Sequence, residues 1–241
     1  MNKLRISPRM ELLCRLVRGS SAADIGTDHG MVPAELITSG RCSRVILTDL
    51  QTGPLGKAAE NLRDLGLQDR ITDLRLGSGL EPLQPAEADS VIIAGMGGEL
   101  ITSILAQDEP KTFSFPKLIL QPRSKSEVLR QWLIDKKYFI VNYLVEEEQR
   151  LCFVIEASLD PSYLDAEPVF PEHPSPEELL YPPDPARTSP ALYRRFIKDE
   201  IAKQQRILQS LQNAAPGEET ADRTILAQRR LGYLLTRDQH A

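Results

Sequence analysis

Apolar positions along this chain come in short blocks whose spacing switches between a strand-like period of two and a helix-like period near 3.6. Ser7-Pro8 followed by Met10, Leu12, Leu13, Leu16 and Val17 predicts a helix with Ser as N-cap and Pro at its first position, ended by Gly19. A strand is expected at Ser21–Ile25 and a helix at Val32–Ser39. Val45-Ile46-Leu47 reads as a buried strand ending in Thr48-Asp49, and Gly53-Pro54 opens a helix carrying Leu55, Ala58, Ala59, Leu62 and Leu65, closed by Gly66. Ile71–Leu76 alternates like a third strand and leads into Gly77-Ser78-Gly79-Leu80. Val91–Ala94 is a fourth strand, followed by Gly95-Met96-Gly97-Gly98 as a loop and a helix carrying Leu100, Ile101, Ile104 and Leu105. Leu118–Leu120, a fifth, ends in Gln121-Pro122 ahead of a helix at Lys125–Lys136. Tyr138–Val145 and Leu151–Ala157 then predict a hairpin joined by residues 146–150.

Strands alternating with helices, then a hairpin, describe an α/β fold: a Rossmann-like sheet of seven strands, mostly parallel with an antiparallel terminal edge. Residues 1–160 are assigned to this domain. Nine prolines between Pro161 and Pro190 predict an irregular, semi-rigid connector over 161–190. Residues 191–241 hold Leu192, Phe196, Ile197, Ile201, Ile207, Leu208 and Leu211, then a Pro216-Gly217 break, then Ile225, Leu226, Leu231, Leu234 and Leu235. Two amphipathic helices with a short joint predict a small C-terminal helical hairpin of coiled-coil type.

Composition narrows the function classes. No apolar run is long enough to span a bilayer, and Met1-Asn2-Lys3-Leu4-Arg5 leads into no signal-peptide core, so a cytoplasmic protein is expected. Cys14, Cys42 and Cys152 are scattered in apolar settings, and His29, His173 and His240 are far apart, so no metal is expected. The net charge of −5 is unevenly spread: residues 186–241 carry ten Lys and Arg against six acids, leaving −9 on the rest. A basic tail on an acidic body suits either a polyanion partner or a solvated helix face.

Ligands of such sheets bind outside the carboxyl ends of the strands, where five polar or glycine-rich loops are expected to gather. The first, Asp24-Ile25-Gly26-Thr27-Asp28-His29-Gly30, lacks the G-x-G-x-x-G spacing of dinucleotide sites. Its Asp28 suits a pyrophosphate badly and a ligand carrying positive charge well, S-adenosylmethionine being one such ligand.

Five segments together carry a family resemblance: Ala23-Asp24-Ile25-Gly26-Thr27-Asp28-His29-Gly30 with Pro33, Gly53-Pro54-Leu55, Gly77-x-Gly79-Leu80, Ile93-Ala94-Gly95-Met96-Gly97-Gly98 and Leu120-Gln121-Pro122. Over residues 5–157 the chain resembles class I S-adenosylmethionine-dependent methyltransferases, and more narrowly the bacterial tRNA (adenine-22-N1)-methyltransferase family, TrmK. It departs from the family pattern at Ser78, where an Asp is often found, and at Arg123, where Asn is common.

The resemblance implies methyl transfer to N1 of adenine-22 in tRNA, with S-adenosylmethionine as cofactor. It implies that Asp24, Gly26, Asp28, Asp49, Leu50, Gly77, Ser78, Gly79, Leu80, Ala94, Gly95, Met96 and Gly97 border the cofactor, with Asp49 on the ribose hydroxyls. Asp28, with His29 orienting it or touching RNA, is the candidate catalytic pair. Gly98, Gln121, Pro122 and Arg123 are expected at the target base, and Lys3, Arg5, Arg9, Arg123, Lys125, Arg194, Arg195 and Lys198 on phosphates. A monomer or weak dimer with tRNA as partner, and no membrane or metal, completes the expectation. Methyl transfer to another RNA, a protein or a small molecule, and a non-catalytic S-adenosylmethionine-binding regulator, stay open at this point.

Overall fold

The computed structural model describes residues 6–27, 29–67, 73–182, 188–215 and 217–239. Seven strands form one sheet: β1 (Ser21–Ile25), β2 (Arg44–Asp49), β3 (Asp73–Leu76), β4 (Ser90–Met96), β5 (Lys117–Pro122), β6 (Phe139–Glu147) and β7 (Arg150–Ser158). Their spatial order is β3-β2-β1-β4-β5-β7-β6. The first five run parallel, and β7 is antiparallel to both β5 and β6. Of the third predicted strand, Ile71 and Thr72 lie outside the described residues.

Side-chain alternation sends the strands into two helical layers. Ala22, Val45, Leu47, Ile92 and Ile119 pack against α1 (Pro8–Leu16), α2 (Met31–Thr38) and α3 (Thr52–Asp64). Ala23, Ile46, Val91, Ile93, Leu118 and Leu120 pack against α4 (Gly98–Gln107) and α6 (Ser126–Asp135), while α5 (Glu109–Ser114) is tied to α4 by Thr112 Oγ1 donating to the Leu105 carbonyl at 2.8 Å. Ser7 caps α1 as expected, its Oγ accepting from the Met10 amide at 3.3 Å. The short α5 was not anticipated, although Asp108 accepting from the Lys111 amide and a Pro in the first turn are ordinary start signals.

Two strand boundaries differ from expectation. The hairpin loop is two residues, Glu148 and Gln149, both at positive φ, so β6 and β7 extend almost to the turn. Gly95 and Met96 belong to β4 rather than to a loop: Ala94 pairs with Gln121 and Met96 with Pro122, leaving Gly95 as a bulge.

The connector is partly helical and docked. It holds a 3-10 turn at Pro161–Tyr163 and a capped helix, α7 (Pro176–Leu180), and buries Leu164, Leu179 and Tyr181. The hairpin of α8 (Pro190–Gln212) and α9 (Glu218–Asp238) packs through Tyr193, Phe196, Ile197 and Leu234 onto Leu144, Phe153 and Tyr181. Ile225, expected on its apolar face, is 62% exposed instead. Arg130 of α6 anchors this junction while fully buried. Its guanidinium donates to Asn142 Oδ1 at 2.8 Å and to the Leu179 carbonyl at 2.7 Å, and lies 4.8 Å over the Phe153 ring. Burial among these neutral partners pushes it down to about 9. Among the described residues no helix is long and apolar enough to cross a membrane, and no His, Cys, Asp or Glu group is set to hold a metal ion.

Candidate active site

The carboxyl ends of the parallel strands bring the predicted loops together through backbone hydrogen bonds. The Gly26 and Thr27 amides both donate to the Thr48 carbonyl, at 2.8 and 3.0 Å, tying the loop after β1 to the end of β2. The Gly77 amide donates to the Asp49 carbonyl at 3.0 Å, adding the loop after β3. On the other side, Arg123 donates to Met96 at 2.8 Å and Gly98 to Ser124 at 2.7 Å, joining the ends of β4 and β5. Gly26 links the two halves: at φ +74, a Cβ there would lie 2.1 Å from Met96 Cε.

Asp24 is the buried acid of this edge, 8% exposed. Burial pushes its carboxyl up to about 6; the Thr27 hydroxyl and the Arg9 charge oppose that shift, and Asp49 adds to it. Asp49 is half-buried at the end of β2, and its Oδ1 accepts from the Gln51 amide at 2.8 Å, so it also braces the start of α3. Leu50 is open to solvent, and Gly77, Ser78 and Gly79 are partly exposed. Leu80, also expected at the cofactor border, is buried at 3% exposure within the hydrophobic cluster under the loop. His29 is exposed, with its carbonyl accepting from Asn61 Nδ2 at 3.0 Å. Asp28, Lys3 and Arg5 lie outside the described residues.

Several residues assigned to substrate have structural partners. Gln121 is buried, at 3% exposure, and its Oε1 accepts from the Gly95 amide at 3.0 Å. Pro122 is buried too. Gly98 packs so closely that a Cβ would meet the Lys125 carbonyl oxygen at 2.2 Å. Arg9 pairs with Glu147 at 2.5 Å, and Arg195 with Glu146 at 2.7 Å, so both cations are already answered by the β6–β7 hairpin. Burial raises Glu147, but Ser7, Arg9 and Arg123 outweigh it and hold the carboxyl below its ordinary range. Sequence reading had no way to pair Arg9 with a Glu 138 residues away. Arg123, Lys125, Arg194 and Lys198 are exposed. Ala94, Met96 and Gly97 are half-buried around Gly95, which is exposed at φ +80 with nothing within 4 Å of where its Cβ would stand.

A mostly parallel sheet in this strand order, with a glycine loop after β1 and an acid ending β2, defines a Rossmann-like fold, a class whose ligands bind at this edge. The chain belongs to the methyltransferase domain family, whose model matches residues 6–155. Within that family it is 33% identical over 156 residues to the tRNA (adenine(22)-N(1))-methyltransferase of Bacillus subtilis strain 168, an alignment covering 64% of this chain and 65% of that enzyme. The chain thus aligns with just under two thirds of that relative's length. The crystal structure of the B. subtilis M1A22 tRNA methyltransferase TrmK superposes with a TM-score of 0.81 at 27% identity, covering 98% of this chain and 100% of that one. Streptococcus pneumoniae Sp1610 in complex with S-adenosyl-L-methionine superposes at 0.73 with 26% identity, over 94% of this chain and 100% of that one. These likenesses bear out the family resemblance carried by the glycine motifs, and with it the fold.

Proposed function

We propose that this protein is a cytoplasmic enzyme that transfers a methyl group from S-adenosylmethionine to N1 of adenine-22 in bacterial tRNA. The observation that carries the proposal is the glycine bulge ending β4. Gly95 turns an open face outward where many amino-group methyltransferases hold an exocyclic amine with a polar side chain and prolines. Adenine N1 already offers an in-plane lone pair, so the chain has only to position it, and proximity supplies much of the rate. Sequence and fold likeness to a tRNA (adenine(22)-N(1))-methyltransferase support the substrate.

The residues fit the cofactor. Asp24, a buried acid with its pKa raised by desolvation, suits the cationic methionine end, and Asp49 at the end of β2 suits the ribose hydroxyls. Gly77, Ser78 and Gly79 border the adenine side. When bound, S-adenosylmethionine supplies an electrophilic methyl group. The target base must leave any stack or pair so that N1, seated by Gly95, would stand in line with the methyl group that S-adenosylmethionine supplies. Asp28 is our candidate for the carboxylate that steadies the positive charge forming on the ring. Arg123, Lys125 and Lys198 are the exposed cations offered for phosphates.

The test is methyl transfer from radiolabelled S-adenosylmethionine to unmodified tRNA transcripts, with an adenine-22 substitution as control. Label that requires adenine-22 supports the assignment. No label on any tRNA, with the cofactor still bound, overturns it.

A further inference from the structure

The β4 bulge leaves the Gly95 amide outside the ladder, because Ala94 and Met96 take the two neighbouring partners on β5. An amide at the rim of a site is either satisfied by the protein or points its N–H at whatever binds there. Here the acceptor is a side chain. Gln121 shares the α1 face of β5 with Ile119, and its Oε1 takes the Gly95 N–H at 3.0 Å. The amide group cannot turn freely. Its Nε2 donates to the Pro122 carbonyl at 3.3 Å, and Arg9 Nη1 approaches Oε1 at 3.5 Å while its own Nε is held by Glu147. The β4 bulge and helix α1 thus converge on one oxygen of β5, with Glu147 at the end of β6 holding Arg9 in place.

We infer that Gln121 is a positioning residue for methyl transfer: through its side-chain carbonyl it holds the Gly95 bulge in shape, and Arg9 holds Gln121. The inference deepens the proposed reaction and rests on it only for the activity arm of its test. Gln121 is buried and reaches the reaction through Gly95, so the family-based assignment of this side chain to the substrate is replaced by an indirect role. The loop after β1, which would carry the methionine end, is anchored separately on the Thr48 carbonyl. Loss of Gln121 therefore acts on where the target base sits more than on cofactor binding.

The experiment compares Gln121→Met and Gln121→Glu in the full chain. Methionine keeps the volume and removes the acceptor; glutamate keeps the acceptor and gains charge beside Arg9. Gln121→Met is expected to lower kcat about 10- to 100-fold while S-adenosylmethionine Kd and tRNA KM change less than about threefold. Gln121→Glu is expected to stay within about threefold of the native rate. The Gly95 amide, followed by NMR hydrogen exchange, should lose protection in the first variant and keep it in the second. A Gln121→Met enzyme as fast as the native one overturns the inference. So does a Gln121→Glu enzyme as slow as Gln121→Met, since an acceptor for the Gly95 amide would then not be what the rate depends on. If the native protein methylates no tRNA, the substrate reading fails, and the Gly95 exchange pattern alone decides whether Gln121 holds the bulge.

Discussion

The two ends of the same sheet solve the burial of charge in opposite ways. At the amino end of the parallel strands, Lys117 is buried between Glu156 and Asp165, and Glu156 also accepts from Tyr143 Oη at 2.6 Å. Asp89 accepts from the Ser20 and Ser21 amides at 2.8 and 2.9 Å. Burial raises Asp89, but those bonds more than offset it and leave the carboxyl below its ordinary range. Asp165 behaves likewise, with Arg18 and Lys117 overcoming its burial. At the carboxyl end, Asp24 is left with its pKa raised, and Gly26 and Gly95 hold positive φ. One end is saturated and stabilising. The other keeps a buried acid whose neighbours do not offset its desolvation and an open glycine bulge, the features a cationic ligand and a flat base would fill.

The sharpest way to break this contrast is Lys117→Met. Removing one partner of a buried charge cluster should destabilise the fold by about 3–5 kcal/mol in urea unfolding, with methyl transfer per folded molecule little changed. Native-like stability would mean that the amino end is not the stabilising one. Asp24→Asn tests the other end with the opposite sign. Folded Asp24 keeps its proton to about pH 6, whereas the unfolded chain releases it near 3.8. The folded state binds more protons between these values, so this group's contribution to stability falls as pH rises through that window. Asp24→Asn should therefore gain up to about 3 kcal/mol over the native chain at pH 8, and nothing near pH 3.5, while binding S-adenosylmethionine more weakly. Native cofactor binding should weaken below about pH 6 and the variant's should not. A variant less stable than native at pH 8 would sink the idea.

Gly95→Ala comes next. Positive φ should cost about 1–2 kcal/mol in thermal unfolding, and the added methyl, standing in open space, should cost activity out of proportion to stability. Activity loss no larger than the stability loss explains would place the base elsewhere. The smallest effect separates two cations of α8. Lys198→Ala should lower the salt slope of tRNA binding by about one, and Arg195→Ala, already paired with Glu146, by clearly less. Equal slopes would show that the Glu146 pair opens on binding.

Strand and helix order, the antiparallel terminal hairpin and the gathering of glycine and acid at one sheet edge were legible in the chain because alternation, capping and turn chemistry are local. The glycine motifs also carried the family. Tertiary structure decided the rest. A one-residue bulge leaves no mark on periodicity, so Gly95 and Met96 read as loop although they complete β4. Arg130, within the helix expected at Lys125–Lys136, is buried because the connector and β6 supply its acceptors from elsewhere along the chain. Arg9 and Arg195 read as phosphate ligands, and only folding brings Glu147 and Glu146 to them. Local sequence determined which groups reach the site. Which of them face a ligand and which are held by the protein was set by partners that meet only in three dimensions, where burial and charge pairing are decided together.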